Sequence, residues 1–180
     1  MLDEKDLQQK LDDWDALRKY YTNELEEDAQ AQLFSEFDEL LQAYISTDDI
    51  EREKMRDLFK EHRESRDLLF LYWNYQAENI RSKDDEDKLR LGLAAISLED
   101  FIFDWRDSLV GLSLLYMSAT EAGIDADPIY KEIGEISNMK VDKHGGSSSK
   151  TISRAPKSGM HQGDHWMMDH LNKIRSAYKK

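Results

Sequence analysis

The residues best suited to chemistry lie near the end of the chain, where three histidines and two aspartates fall within ten residues: His161, Asp164, His165, Asp169 and His170. Imidazole and carboxylate groups are ligands that Zn²⁺ accepts. His165 and Asp169 are four residues apart and share one face of a helix. His165 and His170 point to different sides. An exposed helix start with incidental histidines therefore competes with a metal site, whose best ligand set is His161, His165 and Asp169.

Other motifs that support catalysis are absent from the sequence. No Glu precedes a His by three residues, as it does in di-iron bundles, and there is no His-Glu-x-x-His zinc motif. The chain has no Cys, which excludes disulfides, thiolate metal sites and a Cys nucleophile. The run Gly145–Lys150 resembles a phosphate loop only faintly, because its glycines are adjacent and no strand precedes it. We predict no cofactor, and we interpret this run as a linker.

Acidic residues dominate the first 140 positions. These positions hold 17 Lys or Arg against 35 Asp or Glu, a net charge of −18, whereas residues 141–180 hold 8 Lys or Arg against 3 Asp, a net charge of +5. A strongly negative body repels nucleic acid and anionic membranes and attracts basic proteins over long range. We therefore predict a basic protein as partner, and neither nucleic acid nor a membrane. Acidic charge that only maintains solubility is the alternative.

Two groups of residues are candidates for contacting a basic partner. The first group is a set of acidic runs that together could form a negative surface: Asp48, Asp49, Asp84, Asp85, Glu86 and Asp87. The second group is the segment 104–107, where an Arg lies between carboxylates and beside an indole: Asp104, Arg106 and Asp107 with Trp105. Both groups have a structural alternative, since acidic side chains are favourable at helix starts.

The elements that must position these residues are helices. Apolar side chains recur at steps of three and four residues through 7–25, 33–44 and 50–59, which predicts amphipathic helices. The runs Leu68–Tyr75 and Leu109–Tyr116 are apolar on nearly every side, which predicts that they lie at the centre of a bundle. With only 2 Pro and 8 Gly in the chain, helix breakers are few. We predict an all-α fold, a single bundle of about six to eight helices.

Several predicted helix ends carry local signals. The run Ser46–Asp49 predicts a cap before a third helix, whose inward residues are Ile50, Met55, Leu58 and Phe59. The run Ser97–Asp100 resembles another cap. Gly123 predicts the end of a later helix with Ile124 packing back on it, and Asp127-Pro128 predicts the start of the next.

Composition divides the chain into three parts. Residues 1–138 form the predicted acidic bundle, and residues 139–162 form a predicted flexible basic loop. Residues 163–180 form a predicted terminal helix that docks on the bundle or on a partner through Met167, Leu171, Ile174 and Tyr178. The first residues lack the apolar core of a signal peptide, and no run reaches the roughly 18 apolar residues of a membrane span. We therefore expect a cytoplasmic protein.

Three segments resemble a helical pattern found among uncharacterised bacterial proteins: Phe103–Val110, Leu114–Tyr116 and Ala122–Pro128. Some small acidic bacterial proteins of this kind are similar to immunity proteins, which neutralise a cognate toxin. The resemblance carries no catalytic residue to this chain. It implies a non-catalytic inhibitor whose acidic face covers a basic toxin.

Two other functions stay open on the sequence alone. One is a metal-dependent enzyme that uses the His161–His170 cluster. The other is a structural or regulatory homo-oligomer, for instance a homodimer, in which the terminal helix swaps onto a neighbouring copy.

Overall fold

The computed structural model describes residues 3–20, 25–99 and 105–134, with side chains described from residue 109 onwards in the last range. Within these ranges the chain forms an all-α bundle without strands, as predicted. Its helices are α1 (Glu4–Tyr20), α2 (Glu27–Ser46), α3 (Asp49–Lys60), α4 (Arg63–Asn79), α5 (Glu86–Glu99) and α6 (Trp105–Glu121). A 3₁₀ turn, Lys83–Asp85, precedes α5, and residues 127–134 are helical.

The length and apolar character needed to cross a bilayer do not occur together in any helix of the described ranges. The predicted loop 139–162 and the predicted terminal helix 163–180 lie outside the described residues.

Helix α5 is the most completely buried element. Every residue from Leu91 to Glu99 is buried, and α5 contacts α2, α3, α4 and α6. Helix α4 contacts α1, α2, α3, α5 and α6, which confirms the central position predicted for one side of Leu68–Tyr75. On the other side, Phe70, Leu71 and Tyr75 keep 38%, 39% and 43% of their surface exposed. Helix α5 has no wide polar face and must be surrounded by other helices, because its apolar side chains gain free energy only when they leave water.

The predicted central position of Leu109–Tyr116 is wrong. Helix α6 packs mainly on α4 and α5, and from residue 109 onwards only one side of it is buried. Leu112, Leu115 and Ala119 are fully buried there. On the opposite side Val110 and Leu114 keep 52% and 37% of their surface exposed. The run is apolar on two faces, and the bundle covers only one of them.

The turn between α2 and α3 confirms one predicted cap and corrects one predicted core residue. Asp48 caps α3, and its Oδ1 accepts the backbone N–H of Glu51 at 2.9 Å. Ile50 does not point inward and is 69% exposed.

Buried Arg52 closes the other side of the turn, because its Nε donates to the Tyr44 carbonyl at 3.0 Å and Nη2 donates to the Ile45 and Thr47 carbonyls. These carbonyls end α2 and lack helical partners.

Two other predicted helix boundaries differ from the structure. Ser97 and Glu99 lie inside α5 rather than forming a cap. The described helical segment after Gly123 begins one residue earlier than predicted, so Asp127 lies inside it, and the Asp125 carboxylate accepts the Asp127 N–H at 3.1 Å. At both boundaries two polar residues lie close together in the sequence, and their spacing does not decide where the helix begins.

Gly123 ends α6 as predicted. Its φ is 80°, a left-handed conformation that glycine adopts without strain. The Ile124 N–H donates to the Ala119 carbonyl at 2.8 Å, and the Gly123 N–H donates to the Thr120 carbonyl at 3.1 Å. This pair of hydrogen bonds is the Schellman motif, and partly buried Ile124 packs back against the core.

At Gly111, α6 approaches the bundle closely. A Cβ atom at this position would lie 3.0 Å from Ile96 Cδ1 of α5 and 3.3 Å from the ring of buried Trp73 of α4. A larger side chain would therefore push α6 away from both helices.

We expect Gly111→Leu to lower the free energy of unfolding by about 1–3 kcal/mol, because the added side chain overpacks this contact. Gly134→Leu is the matched control, since no atom lies within 4 Å of its added Cβ. In the control, the better helix propensity of Leu should leave stability unchanged or slightly raised. Urea unfolding measures both. Equal changes in the two variants would contradict the close approach.

Candidate functional site

A buried polar cluster joins α1 to the start of α4. His62 precedes α4, and its side chain does not cap that helix. Asp15 of α1 caps it instead, because its Oδ1 accepts the backbone N–H of Ser65 at 2.8 Å and the Ser65 hydroxyl at 2.7 Å. Oδ2 lies 2.6 Å from His62 Nδ1. The Gln8 amide nitrogen lies 2.8 Å from His62 Nε2.

The cluster contains Ser, His and Asp, but its geometry is not that of a nucleophilic triad. In a triad the His ring accepts the Ser proton and the Asp orients the His. Here Asp15 accepts from both Ser65 and His62, and the Ser65 side chain has no exposed surface. The Ser65 hydroxyl therefore donates to a carboxylate rather than to a histidine, and it is not exposed to a substrate. The cluster acts as a joint between helices.

Ionised Asp15 holds this joint together. Burial raises the pKa of the Asp15 carboxyl, but the hydrogen bonds from Ser65 and His62 outweigh burial and bring the pKa below its ordinary value of 3.8. The folded state therefore favours the charged carboxylate.

The acidic residues predicted to bind a partner mostly serve local structure. Asp48 caps α3, and Asp49 pairs with Arg52 at 2.6 Å while its side chain stays 91% exposed. Asp87 pairs with Arg90. Asp84 is exposed and Glu86 is half-buried.

Asp85 forms a capping box at the 3₁₀ turn. Its carboxylate accepts the backbone N–H groups of Arg81 at 2.8 Å and Ser82 at 3.1 Å, and it pairs with Lys88 at 2.9 Å. The Arg81 hydrogen bond, followed by that of Lys88, lowers the pKa of Asp85 to about 2. Asp85 is thus part of the framework, and the neighbouring Asp84 and Asp87 present the exposed charge.

The two acidic runs do not converge on one face. The Tyr44 hydroxyl lies 2.8 Å from Ser97 Oγ, which places the end of α2 and the following Asp48 beside the end of α5. Asp84 and Asp87 lie at the start of α5. A helix of 14 residues is roughly 21 Å long, and this length separates the runs.

The remaining predicted site residues lie outside the described part of the molecule. This applies to Asp104, to the side chains of Arg106 and Asp107, and to the proposed metal ligands His161, His165 and Asp169. Within 3–20, 25–99 and 105–134, no three His, Asp or Glu side chains are grouped as a metal site requires.

A different acidic surface forms where α5 begins and α6 ends. A Cβ atom on Gly123 would lie 3.1 Å from Lys83 Cε, so the turn after α6 contacts the 3₁₀ turn before α5. Exposed carboxylates from both turns therefore share one end of the bundle, which we call the acidic end: Asp84, Asp87, Glu121, Asp125 and Asp127. Arg81, Lys83 and Arg90 offset part of this charge.

An apolar stripe on α6 leads to the acidic end. Val110, Leu114 and Met117 follow one another at steps of four and three residues, and Glu121 continues the same line four residues later. Met117 is 55% exposed. Single exposed apolar residues are common, but apolar side chains that adjoin one another and are rimmed by charge are typical of binding surfaces. We call Val110, Leu114 and Met117 the α6 stripe.

The sequence contains a signal that distinguishes the two apolar faces of α6. Gly111 lies on the side of Leu112 and Leu115, and a helix uses glycine where another helix approaches closely. The face that contains Gly111 is therefore the buried one, and the opposite face with Val110 and Leu114 is the exposed one.

Comparison with known proteins gives no match: no protein-family model, no curated protein and no solved structure matches the chain. The resemblance of residues 103–128 to immunity-like bacterial proteins stays a prediction.

We expect Asp15→Asn to lower the free energy of unfolding by about 1–3 kcal/mol at pH 7, because a neutral amide oxygen accepts the hydrogen bonds from Ser65 and His62 more weakly than a carboxylate does. The pKa of Asp15 is lowered in the folded state. The stabilisation is therefore present above the unfolded pKa and is lost as pH falls through the folded pKa. Urea unfolding at several pH values should show the difference from wild type narrowing below about pH 4.

Exposed Asp13 provides the control on the same helix. Asp13→Asn should change stability by less than about 0.5 kcal/mol at every pH. A difference between wild type and Asp15→Asn that stays constant down to pH 2 would show that the carboxylate charge does not hold the joint.

Proposed function

We propose that the protein is a non-catalytic binding protein that receives a basic helix of another protein on the α6 stripe and the acidic end. The observation that carries this proposal is the position of Glu121. This exposed residue continues the line of the α6 stripe and belongs to the acidic end, so the apolar side chains adjoin exposed carboxylates there. Interfaces commonly combine an apolar centre with a charged rim.

The charge of the body supports a basic partner. Residues 1–140 carry a net charge of −18, and a field of this sign accelerates association with cationic proteins about 10- to 1,000-fold at low ionic strength. The apolar stripe would then supply short-range affinity, which charge on a solvated surface supplies only weakly.

A partner of the toxin class is the narrower form of this proposal. The resemblance to immunity-like proteins motivates it, and a basic nuclease has the charge that the acidic end attracts. The chain would act by covering or distorting the active site of the toxin, which requires no catalytic residue of its own.

We expect a pull-down from the native host with the full chain as bait to recover a basic protein at low salt. Recovery should fall at high salt, because screening weakens attraction between exposed charges. Leu114→Asp should lose the partner, since it places a charge at the centre of the apolar stripe.

Ile50→Asp is the matched control, because Ile50 is an exposed apolar residue on a different helix. It adds the same charge and should keep the partner. If no basic protein is recovered in either buffer, or if Leu114→Asp and Ile50→Asp bind equally, the α6 stripe is not the binding surface.

A further inference from the structure

We infer that residues 163–180 of the same chain occupy the α6 stripe in cis until a partner displaces them. This inference rests on the proposed function, since it assigns an intramolecular occupant to the same surface. Three observations support it, and they concern apolar spacing, charge and chain length.

The apolar spacing of the two segments matches. The stripe and its continuation occupy positions 110, 114, 117 and 121, at steps of four, three and four residues. The apolar residues of the terminal segment follow the same steps: Met167, Leu171, Ile174 and Tyr178. Two helices whose contact residues repeat in this way pack along their length at a small crossing angle.

The charges of the two segments are complementary. Residues 163–180 carry 4 Lys or Arg against 2 Asp, and all four basic residues lie in the second half: Lys173, Arg175, Lys179 and Lys180. In a parallel alignment Leu171 lies opposite Leu114, and the basic half lies beside Glu121 and the acidic end. A second copy of the whole chain would instead bring two bodies of net negative charge together, which mutual repulsion opposes.

The position and length of the connecting chain allow docking in cis. Tyr130 lies against Tyr116, with ring centroids 5.5 Å apart, so the chain beyond residue 134 continues from a point beside α6. The 28 residues from 135 to 162 can span up to roughly 90 Å, and α6 itself is only about 25 Å long. A tether of this kind holds its end at a high effective concentration near the stripe.

The absence of cysteine from the chain makes a disulfide test direct. The double variant Leu114→Cys with Leu171→Cys should form an intramolecular disulfide under mild oxidation. Its rate should exceed the rates of two control pairs by about tenfold or more, because proximity sets the effective thiol concentration. The controls are Leu114→Cys with Lys173→Cys, which lies off the apolar face, and Glu53→Cys on α3 with Leu171→Cys. Intact mass under non-reducing conditions reports the product.

A disulfide between two chains would overturn docking in cis, and so would equal rates for the three pairs.

A second measurement guards against misfolding of the double variant. In the single variant Leu171→Cys, labelling by a maleimide should be slowed about tenfold or more relative to Lys173→Cys, because a docked side chain is covered. Adding Leu114→Asp should abolish this protection and adding Ile50→Asp should preserve it. Equal labelling of the two cysteines would also overturn the inference.

The outcome is separable from that of the proposed function. Both thiol experiments use the chain alone, so their failure leaves a recovered partner valid. If the pull-down fails, an intramolecular disulfide still supports docking in cis, because the thiol experiments involve no partner.

Discussion

Burial of α5 on all its sides is the constraint on which the rest of the bundle depends. Because every residue from Leu91 to Glu99 is buried, four helices must cover this one, and they are α2, α3, α4 and α6. Ser97 is a polar exception inside this run, and its hydroxyl meets that of Tyr44, which also accepts from Arg56 at 2.9 Å. A buried hydroxyl with a partner costs little, whereas one without a partner would cost about 1–3 kcal/mol. Completing the cover around α5 leaves α6 on the outside of the bundle.

Buried polar contacts fix how the surrounding helices meet. Asp15 joins α1 to α4, Arg52 joins the end of α2 to α3, and Asp38 of α2 accepts the Tyr72 hydroxyl of α4 at 2.5 Å. Burial and Asp38 raise the pKa of Tyr72, so this phenol stays protonated and keeps donating. Apolar packing tolerates small shifts between helices, but a hydrogen bond in a dry interior does not. These joints account for most of the polar residues that are buried in the core.

Features that depend on neighbouring residues could be predicted from the sequence. The Asp48 cap and the Gly123 helix end are of this kind, because a capping hydrogen bond spans only a few residues. The joint of Asp15 with His62 and Ser65 could not be predicted, since its members are 47 and 50 positions apart and none belongs to a motif. The acidic runs were expected to form one surface, but the length of α5 separates them. The acidic end forms instead because the turn at Gly123 meets Lys83, a contact that local sequence does not encode.

The limited packing of α6 links the fold to what binds on its surface. An element that packs mainly on two neighbours can detach at a lower free-energy cost than α5, which four helices surround. Its amide hydrogens should therefore exchange with solvent earlier than those of the centre, through a partial opening of the bundle. Any molecule that covers the outer side of α6 binds only the closed form and raises the cost of that opening. Binding on the outer side of α6 and opening of the bundle are therefore linked equilibria. The exchange rate of the α6 amides would report on both.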